Sequence, residues 1–166
     1  MSSINIPLHG EAIALKWKDI DFENRIIDIN CQITRAKEVP PKWNSQRKIP
    51  ILDGLEIFLK EQYKITGHYD GYVFLNTRKS RFWDISKIRD KYWRRDLELS
   101  NVPYRKIHQT RHTFYSSLIS KGEDINTVSK IAGHSSTSMT LSTYSKSIGK
   151  YEKNFGKKLS LSIGTA

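Results

Sequence analysis

Helix-capping residues recur in the carboxyl-terminal third of the chain, and this pattern constrains the fold more than any other feature. Residues 105–120 have helical spacing and are followed by Gly122, while residues 125–132 lie between Asp124 and Gly133. Glycine adopts the left-handed backbone that ends a helix, and aspartate accepts hydrogen bonds from first-turn amides. The sequence therefore predicts two short helices joined by a tight turn.

Helical spacing predicts further helices on both sides of this pair. In chain order, they are residues 10–17, 53–65, 84–97, 137–144 and 149–159. The first places Ile13 and Trp17 on one face, and Asp53 is the expected cap of the second.

Three segments near the start of the chain favour strands because they are rich in β-branched residues and partly alternate. They are residues 25–29, 31–34 and 47–51, with Pro40 and Pro41 interrupting the chain before the third. The predicted fold class is therefore α+β and mainly α, with a small antiparallel sheet.

Length and composition fit one folded domain over residues 1–166, since 37% of the residues are hydrophobic. The single cysteine, Cys31, cannot form an internal disulfide, which favours a reducing compartment. No apolar run is long enough to span a bilayer. A cytoplasmic protein with no membrane partner is the expectation.

The charge balance favours a polyanionic partner. Lysine and arginine number 28 against 17 aspartates and glutamates, a net charge of +11. Neutralising phosphates releases condensed counterions, so a basic protein gains affinity for nucleic acid. Solvated lysine faces are common, however, so charge alone is weak support.

His108 and Arg111 lie three residues apart on a predicted helix, so they share one face. Histidine exchanges protons near neutral pH, and an arginine fork matches two phosphate oxygens. A core histidine with a surface arginine is the alternative for such a pair in isolation. His108 and His112 also have the spacing of paired zinc ligands, but Gln109 occupies the position of a metalloprotease glutamate. No third ligand is marked, so we expect no metal.

His134 follows Gly133, where one predicted helix ends and the next begins. A positive φ at the glycine would present the imidazole at a helix amino terminus, which is an anion site. Tyr144 lies ten residues further on. Its hydroxyl is a weak nucleophile that neighbouring cations must activate, and taken alone it is more often a half-buried structural residue.

These residues occur in an order that resembles the tyrosine recombinase (phage integrase) family. Residues 11–21, Glu-Ala-Ile-Ala-Leu-Lys-Trp-Lys-Asp-Ile-Asp, resemble the first family box, and residues 45–50, Ser-Gln-Arg-Lys-Ile-Pro, resemble the hairpin segment that carries the family lysine. Residues 108–114, His-Gln-Thr-Arg-His-Thr-Phe, resemble the second box. Residues 132–136, Ala-Gly-His-Ser-Ser, together with Tyr144, resemble the third.

The resemblance implies a helical catalytic domain of the DNA breaking-rejoining type. It implies that Tyr144 attacks a phosphodiester of double-stranded DNA, giving a 3′-phosphotyrosyl link without metal or nucleotide cofactor. Arg111 would clamp a non-bridging oxygen, His108 would accept or donate a proton, and His134 would hydrogen-bond the phosphate. Family members assemble on DNA as tetramers, so a homo-oligomer is expected.

The family lysine protonates the 5′-oxygen as it leaves, and Lys42 is the position that the resemblance assigns to it. A plain phosphate contact is the competing role for Lys42. Lys37 and Lys48 are the alternative candidates for the catalytic lysine.

The sequence departs from the family at one position of the first box. The family carries an arginine three residues before the glutamate matched by Glu11, and Leu8 occupies that position here. The family's amino-terminal DNA-gripping domain has no counterpart either. We therefore expect a domain truncated at its amino terminus, whose activity is weakened or lost.

Two other functions stay open on the sequence. A non-catalytic DNA-binding remnant would keep the basic surface without cutting DNA. A relaxase similar to type IB topoisomerases would use similar residues, but it would need neither a partner protomer nor a defined site.

Overall fold

A computed structural model describes residues 9–41, 45–69, 71–82, 84–134 and 136–152. The chain divides into two compact units, Met1–Arg111 and His112–Ala166. The first unit combines helices with β-sheet, and the second is helical where it is described. The α+β, mainly α class predicted from the sequence is confirmed.

A three-stranded antiparallel sheet lies in the first unit. Its strands are β1 (Ile20–Asp21), β2 (Ile26–Ile29) and β5 (Arg47–Pro50), in the spatial order β1-β2-β5. Ile27 pairs with both Ile20 and Ile49, and all three side chains are buried. The alternation of isoleucine with polar residues thus sets the register.

A separate hairpin joins β3 (Gln32–Thr34) to β4 (Lys37–Val39). Its two-residue turn, Arg35 and Ala36, has φ of 49° and 60°, the left-handed conformation that such turns require. Strand β4 was not predicted, because the turn lacks the usual asparagine and glycine and the strand itself is polar.

Helix α1 (His9–Ala14) packs closely on β3. A Cβ on Gly10 would lie 2.6 Å from the carbonyl oxygen of Ile33, so this approach requires glycine. The prediction that the helix reaches Trp17 was wrong. Leu15 and Trp17 instead make backbone hydrogen bonds with Val73 and Gly71, and residues Trp17–Asp19 form a 3₁₀ turn.

The other helices of the first unit are α2 (Asp53–Thr66), α3 (Ile85–Ile88) and α4 (Arg94–Leu99), with a π-turn over Arg89–Trp93 between the last two. Asp84 caps α3 by accepting from the amide of Ser86 at 2.8 Å. Asp53, by contrast, is the first residue of α2 rather than its cap, and its carboxylate pairs with Arg25.

Buried apolar side chains from several elements form the core between α1 and β3. The buried members are Ile13, Ala14, Ile33 and Phe82, and Phe74, Ile85, Ile88 and Tyr92 pack against them.

Helix α5 (His108–Ser120) begins in the first unit and continues into the second. It starts at His108, not at Arg105 as predicted. Helix α6 (Ile125–Ala132) has the predicted caps: Asp124 accepts from the amide of Thr127 at 2.8 Å, and Gly133 has φ of 69°.

Helix α7 runs over Thr137–Glu152 as one element. The sequence predicted a break after Tyr144 and a new helix at residue 149; no proline lies between them, and the helix continues. The rest of that predicted helix, residues 153–159, lies outside the described residues. No helix in the described part of the chain is both long and apolar enough to cross a membrane.

Candidate active site

The start of α5 carries two of the predicted site residues. His108 is exposed, whereas Arg111, one turn further on, has only 4% of its surface exposed. The Thr110 hydroxyl donates to the Ile107 carbonyl at 2.6 Å and ties the first turn to the preceding loop. The first unit therefore contains both His108 and Arg111, on adjacent turns of one helix.

A second imidazole, His9 of α1, contacts His108. The ring centroids are 5.4 Å apart and the planes are perpendicular, at 90°. Burial lowers the pKa of His9, and the positive charges of His108 and Arg111 lower it further. His9, His108 and Arg111 thus form one cluster within the first unit.

His9 was not predicted as a site residue, because its contact with His108 joins residues that are distant in the chain. One feature of the sequence could have marked His9 as a site residue: it follows Leu8, the position at which the family resemblance places an arginine. Leu8 lies outside the described residues.

His134 and Tyr144 come together in the second unit. Their rings stack, with centroids 6.4 Å apart and planes inclined by 14°. The left-handed Gly133 turns the chain at the end of α6, as predicted. His134 Nδ1 then lies 2.7 Å from the hydroxyl of Thr140, a buried residue of α7. This hydrogen bond fixes the imidazole against α7.

Tyr144 itself is buried, with 3% of its surface exposed. Its side chain belongs to an apolar cluster with Phe114, Tyr115, Ile119, Val128 and Ala132. The ring of His112 lies 5.8 Å from that of Tyr144, centroid to centroid. In this conformation the tyrosine as a whole is therefore largely covered by its neighbours.

The predicted lysine, Lys42, lies outside the described residues. Of the alternatives, Lys37 on β4 and Lys48 on β5 are both exposed. No group of three histidine, cysteine, aspartate or glutamate side chains within the described ranges is arranged to hold a metal ion.

A buried ion pair includes Arg47, which lies shortly after Lys42 in the sequence. Arg47, at the start of β5, donates to both carboxylate oxygens of Glu11 on α1, at 3.0 and 2.8 Å. It also donates to the carbonyl of Ser45 at 3.2 Å. The Glu11 side chain is 0% exposed and that of Arg47 is 9% exposed, so water screens the pair weakly. The pair ties the sheet to α1.

The β3–β4 hairpin is held through Glu38. Its carboxylate accepts from Lys16 Nζ at 3.0 Å, from the Tyr72 hydroxyl and from Arg81. Hydrogen bonding by Tyr72, followed by that of Lys16, lowers the pKa of Glu38. The same contact with Glu38 raises the pKa of Lys16. These directions mean that the network is charged at neutral pH.

The model of the phage integrase family matches residues 9–149 of the chain. The chain is 32% identical over 172 residues to a tyrosine recombinase XerC-like protein of Caldanaerobacter subterraneus subsp. tengcongensis, covering 87% of this chain and 44% of that protein. It is 27% identical to the prophage integrase IntR of Escherichia coli, covering 82% of this chain and 39% of that one. The chain thus spans less than half the length of these relatives.

Among solved structures, the fold is similar to that of the Tn1549 transposon integrase in complex with circular intermediate DNA. The TM-score is 0.71 at 25% identity, over 86% of this chain and 51% of that one. The XerA recombinase is also similar, with a TM-score of 0.67 at 25% identity, over 88% of this chain and 52% of the other.

Proposed function

Because this chain belongs to the phage integrase family, we propose that it is the catalytic domain of a site-specific DNA recombinase, spanning residues 1–166. The observation that carries the proposal is the pairing of groups within each unit. His108 and Arg111 share adjacent turns of α5, and His134 stacks on Tyr144. These are the residue types that phosphate capture and attack require.

In the proposed reaction, the Tyr144 hydroxyl oxygen forms a bond to phosphorus and the bond from phosphorus to the 5′-oxygen breaks. Arg111 stabilises the charge that develops on the non-bridging oxygens. His108 accepts the tyrosine proton, and His134 hydrogen-bonds the phosphate. Lys42 gives a proton to the departing 5′-oxygen. The 3′-phosphotyrosyl link keeps the bond energy, so a 5′-hydroxyl reverses the attack and rejoins the strand.

The burial of Tyr144 adds a requirement to this reaction. A phosphorus atom must reach the tyrosine oxygen, yet Tyr144 is 3% exposed and packs among apolar side chains. We propose that α7 opens locally from the cluster when Tyr144 attacks the phosphodiester. The conformation described here would be a resting one.

Leu8, at the position where family members carry an arginine, limits the expected rate. Loss of one donor that stabilises transition-state charge costs about a hundredfold to a thousandfold. We therefore infer slow cleavage by this chain, and Leu8→Arg is expected to accelerate it. The chain would then cleave more slowly than a recombinase that has this arginine, but by the same reaction.

Double-stranded DNA is the proposed partner, bound by a homo-oligomer of the chain in the bacterial or phage-infected cytoplasm. The net charge of +11 supports a phosphate-binding surface. The first unit exposes many basic side chains, including Arg78, Lys79, Lys87, Arg94, Arg95, Arg105 and Lys106. DNA affinity is expected to fall steeply with salt, by close to one power of salt concentration for each phosphate contacted. A flat response in a binding titration would remove the basic surface from the proposal.

A covalent-trapping assay tests the function. The chain is incubated with a randomised pool of nicked duplexes, in which cleavage releases a short fragment that cannot rejoin. The proposal expects a protein–DNA adduct, more of it with Leu8→Arg, and none with Tyr144→Phe. The phenylalanine keeps the apolar packing of the second unit and removes only the hydroxyl.

The second candidate is a DNA-binding protein that does not cut. Two observations favour it: Leu8 stands where the arginine belongs, and Tyr144 is buried. It predicts salt-sensitive DNA binding by the chain, with no adduct from either the unmodified chain or Leu8→Arg.

A further inference from the structure

The cluster in the first unit contains one histidine that the reaction above does not use. His9 sits at the first position of α1, against His108. We propose that His9 is a further catalytic residue, which donates a hydrogen bond to the scissile phosphate beside His108 and Arg111. The inference rests on the proposed function and adds a phosphate contact to it.

The spacing of the two rings suits a shared ligand. Two N–H donors that bind the same phosphate oxygen, each at about 3 Å, lie within roughly 6 Å of one another, so the rings that carry them must be neighbours. The centroids of His9 and His108 are 5.4 Å apart. His108 is exposed and His9 is half-buried, so an edge of the pair faces solvent. The proposal places the DNA phosphate at this edge, where it would accept from both rings.

The electrostatic surroundings of His9 also suit an anion. His108 and Arg111 on α5 are the charged groups that act on it, and both oppose its protonation. His9 also lines an open, mostly apolar groove of about 560 Å³, whose polar members include Gln62, Asn76 and Thr77. The positive charges of His108 and Arg111 favour a phosphate bound beside them. That phosphate would in turn favour the protonated form of the His9 imidazole.

His9 directly follows Leu8, which stands at the position where family members carry an arginine. The family arginine would supply a donor from the residue immediately before His9. A neutral imidazole offers one N–H where a guanidinium offers a fork of donors. The expected contribution of His9 is therefore smaller than that of the family arginine.

The first experiment does not depend on cleavage. Histidine ring signals of the full chain are followed by NMR over pH, with and without inorganic phosphate. We expect the His9 and His108 signals to shift together and the pKa of His9 to rise with phosphate. His68, an exposed histidine of the first unit, is the internal reference. A His9 signal that phosphate leaves unchanged, or that moves no more than that of His68, overturns the proposal.

The second experiment separates a phosphate contact from a packing role. His9→Phe keeps a ring against His108 and removes the donor, whereas His9→Gln keeps a donor. His9→Phe is expected to lower the rate of adduct formation by about tenfold to a hundredfold, below the full cost of a charged donor. DNA affinity should stay within about twofold. His9→Gln should recover much of the rate, and His68→Phe should match the unmodified chain.

Full activity of His9→Phe, or an equal loss of rate and affinity, contradicts the role. If the unmodified chain forms no adduct at all, the proposed function fails. The phosphate titration then decides by itself whether His9 belongs to an anion site.

Discussion

Both units of the chain have an apolar core, and in the first unit ion pairs also link elements that are distant in sequence. In the first unit, charged side chains link elements that are distant in sequence, as Arg47 does with Glu11 and as Lys16 and Arg81 do with Glu38. In the second unit, the described core is a cluster of apolar and aromatic side chains from α5, α6 and α7. The first unit therefore combines apolar packing with ion pairs, and the second places Tyr144 in an apolar cluster.

This difference matches the division of the proposed chemistry. A phosphate clamp must be rigid, because a displaced donor stabilises the transition state less. The nucleophile on α7 must instead emerge from its cluster, in which its ring packs against apolar side chains. The contrast predicts that substitutions in the first unit act on fixed charges, whereas those in the second act on packing.

The largest expected effect on stability is at the buried ion pair. Arg47→Met leaves the Glu11 carboxylate buried without its partner, which costs about 3–5 kcal/mol. Urea denaturation of the purified chain measures the change. The exposed neighbour Lys48→Met is the matched control and should change the free energy of unfolding little.

A double variant refines this comparison. Glu11→Leu combined with Arg47→Met replaces the pair by apolar groups and should recover much of the lost stability. If the double variant is as unstable as the sum of the two single variants, the pair does not act as one unit.

The next largest effect is expected on the rate of the proposed cleavage, at Arg111 in the first unit. Arg111→Ala should lower the rate of adduct formation by about a hundredfold to a thousandfold and change DNA affinity much less, because the guanidinium acts on transition-state charge. Rate and affinity are measured with the same nicked duplexes. Arg95→Ala, a change at an exposed arginine, is the control for loss of charge. Equal losses of rate and affinity in Arg111→Ala would argue against the clamp.

A smaller effect is expected from repacking the second unit. Ile119→Val removes one buried methylene and should cost about 0.5–1.5 kcal/mol. Leu141, 45% exposed, is the control, and Leu141→Val should cost less. Thermal unfolding followed by circular dichroism compares the two. Equal costs would mean that the apolar cluster does not stabilise the unit as described.

The smallest effect is the pH dependence that His9 contributes. Its pKa in the folded chain lies below the ordinary value of 6.5, because burial and the charges of His108 and Arg111 oppose its protonation. Above pH 6.5 both the folded and unfolded chains hold it neutral, so it contributes nothing. As the pH falls below that value, the unfolded chain takes up the proton first and stability decreases.

Denaturation at about pH 7.5 and about pH 5.5 measures this dependence. His9→Gln should lose less stability on acidification than the unmodified chain. An identical acid response in both proteins would show that His9 is not held neutral.

The parts of the fold that depend on local chemistry were predictable from sequence. Asp124 and Gly133 delimit α6 as expected, because both caps act within a few residues of themselves. The end of α1 was not predictable, because Leu15 and Trp17 pair with a segment more than fifty residues away. Strand β4 was missed for a related reason: Arg35 and Ala36 adopt a turn that their residue types rarely form.

Some features of the candidate site were likewise predictable from the sequence, and others were not. Helical spacing predicted that His108 and Arg111 share one face of α5, whereas the family resemblance joined them to His134 and Tyr144, and the four catalytic roles stay predictions. His9 was not readable, since only the packing of α1 and α5 brings it to His108. The burial of Tyr144 was equally hidden, because it depends on apolar side chains from three helices.

The most direct test is to locate the covalent bond between protein and DNA. Adduct formed on the randomised nicked duplexes is digested with protease and nuclease, and the modified peptide is sequenced by mass spectrometry. We predict a nucleotide joined through its 3′-phosphate to Tyr144, in a peptide from the part of the chain after His134. A nucleotide attached to any other residue, or no modified peptide from either the unmodified chain or Leu8→Arg, would contradict the proposed nucleophile.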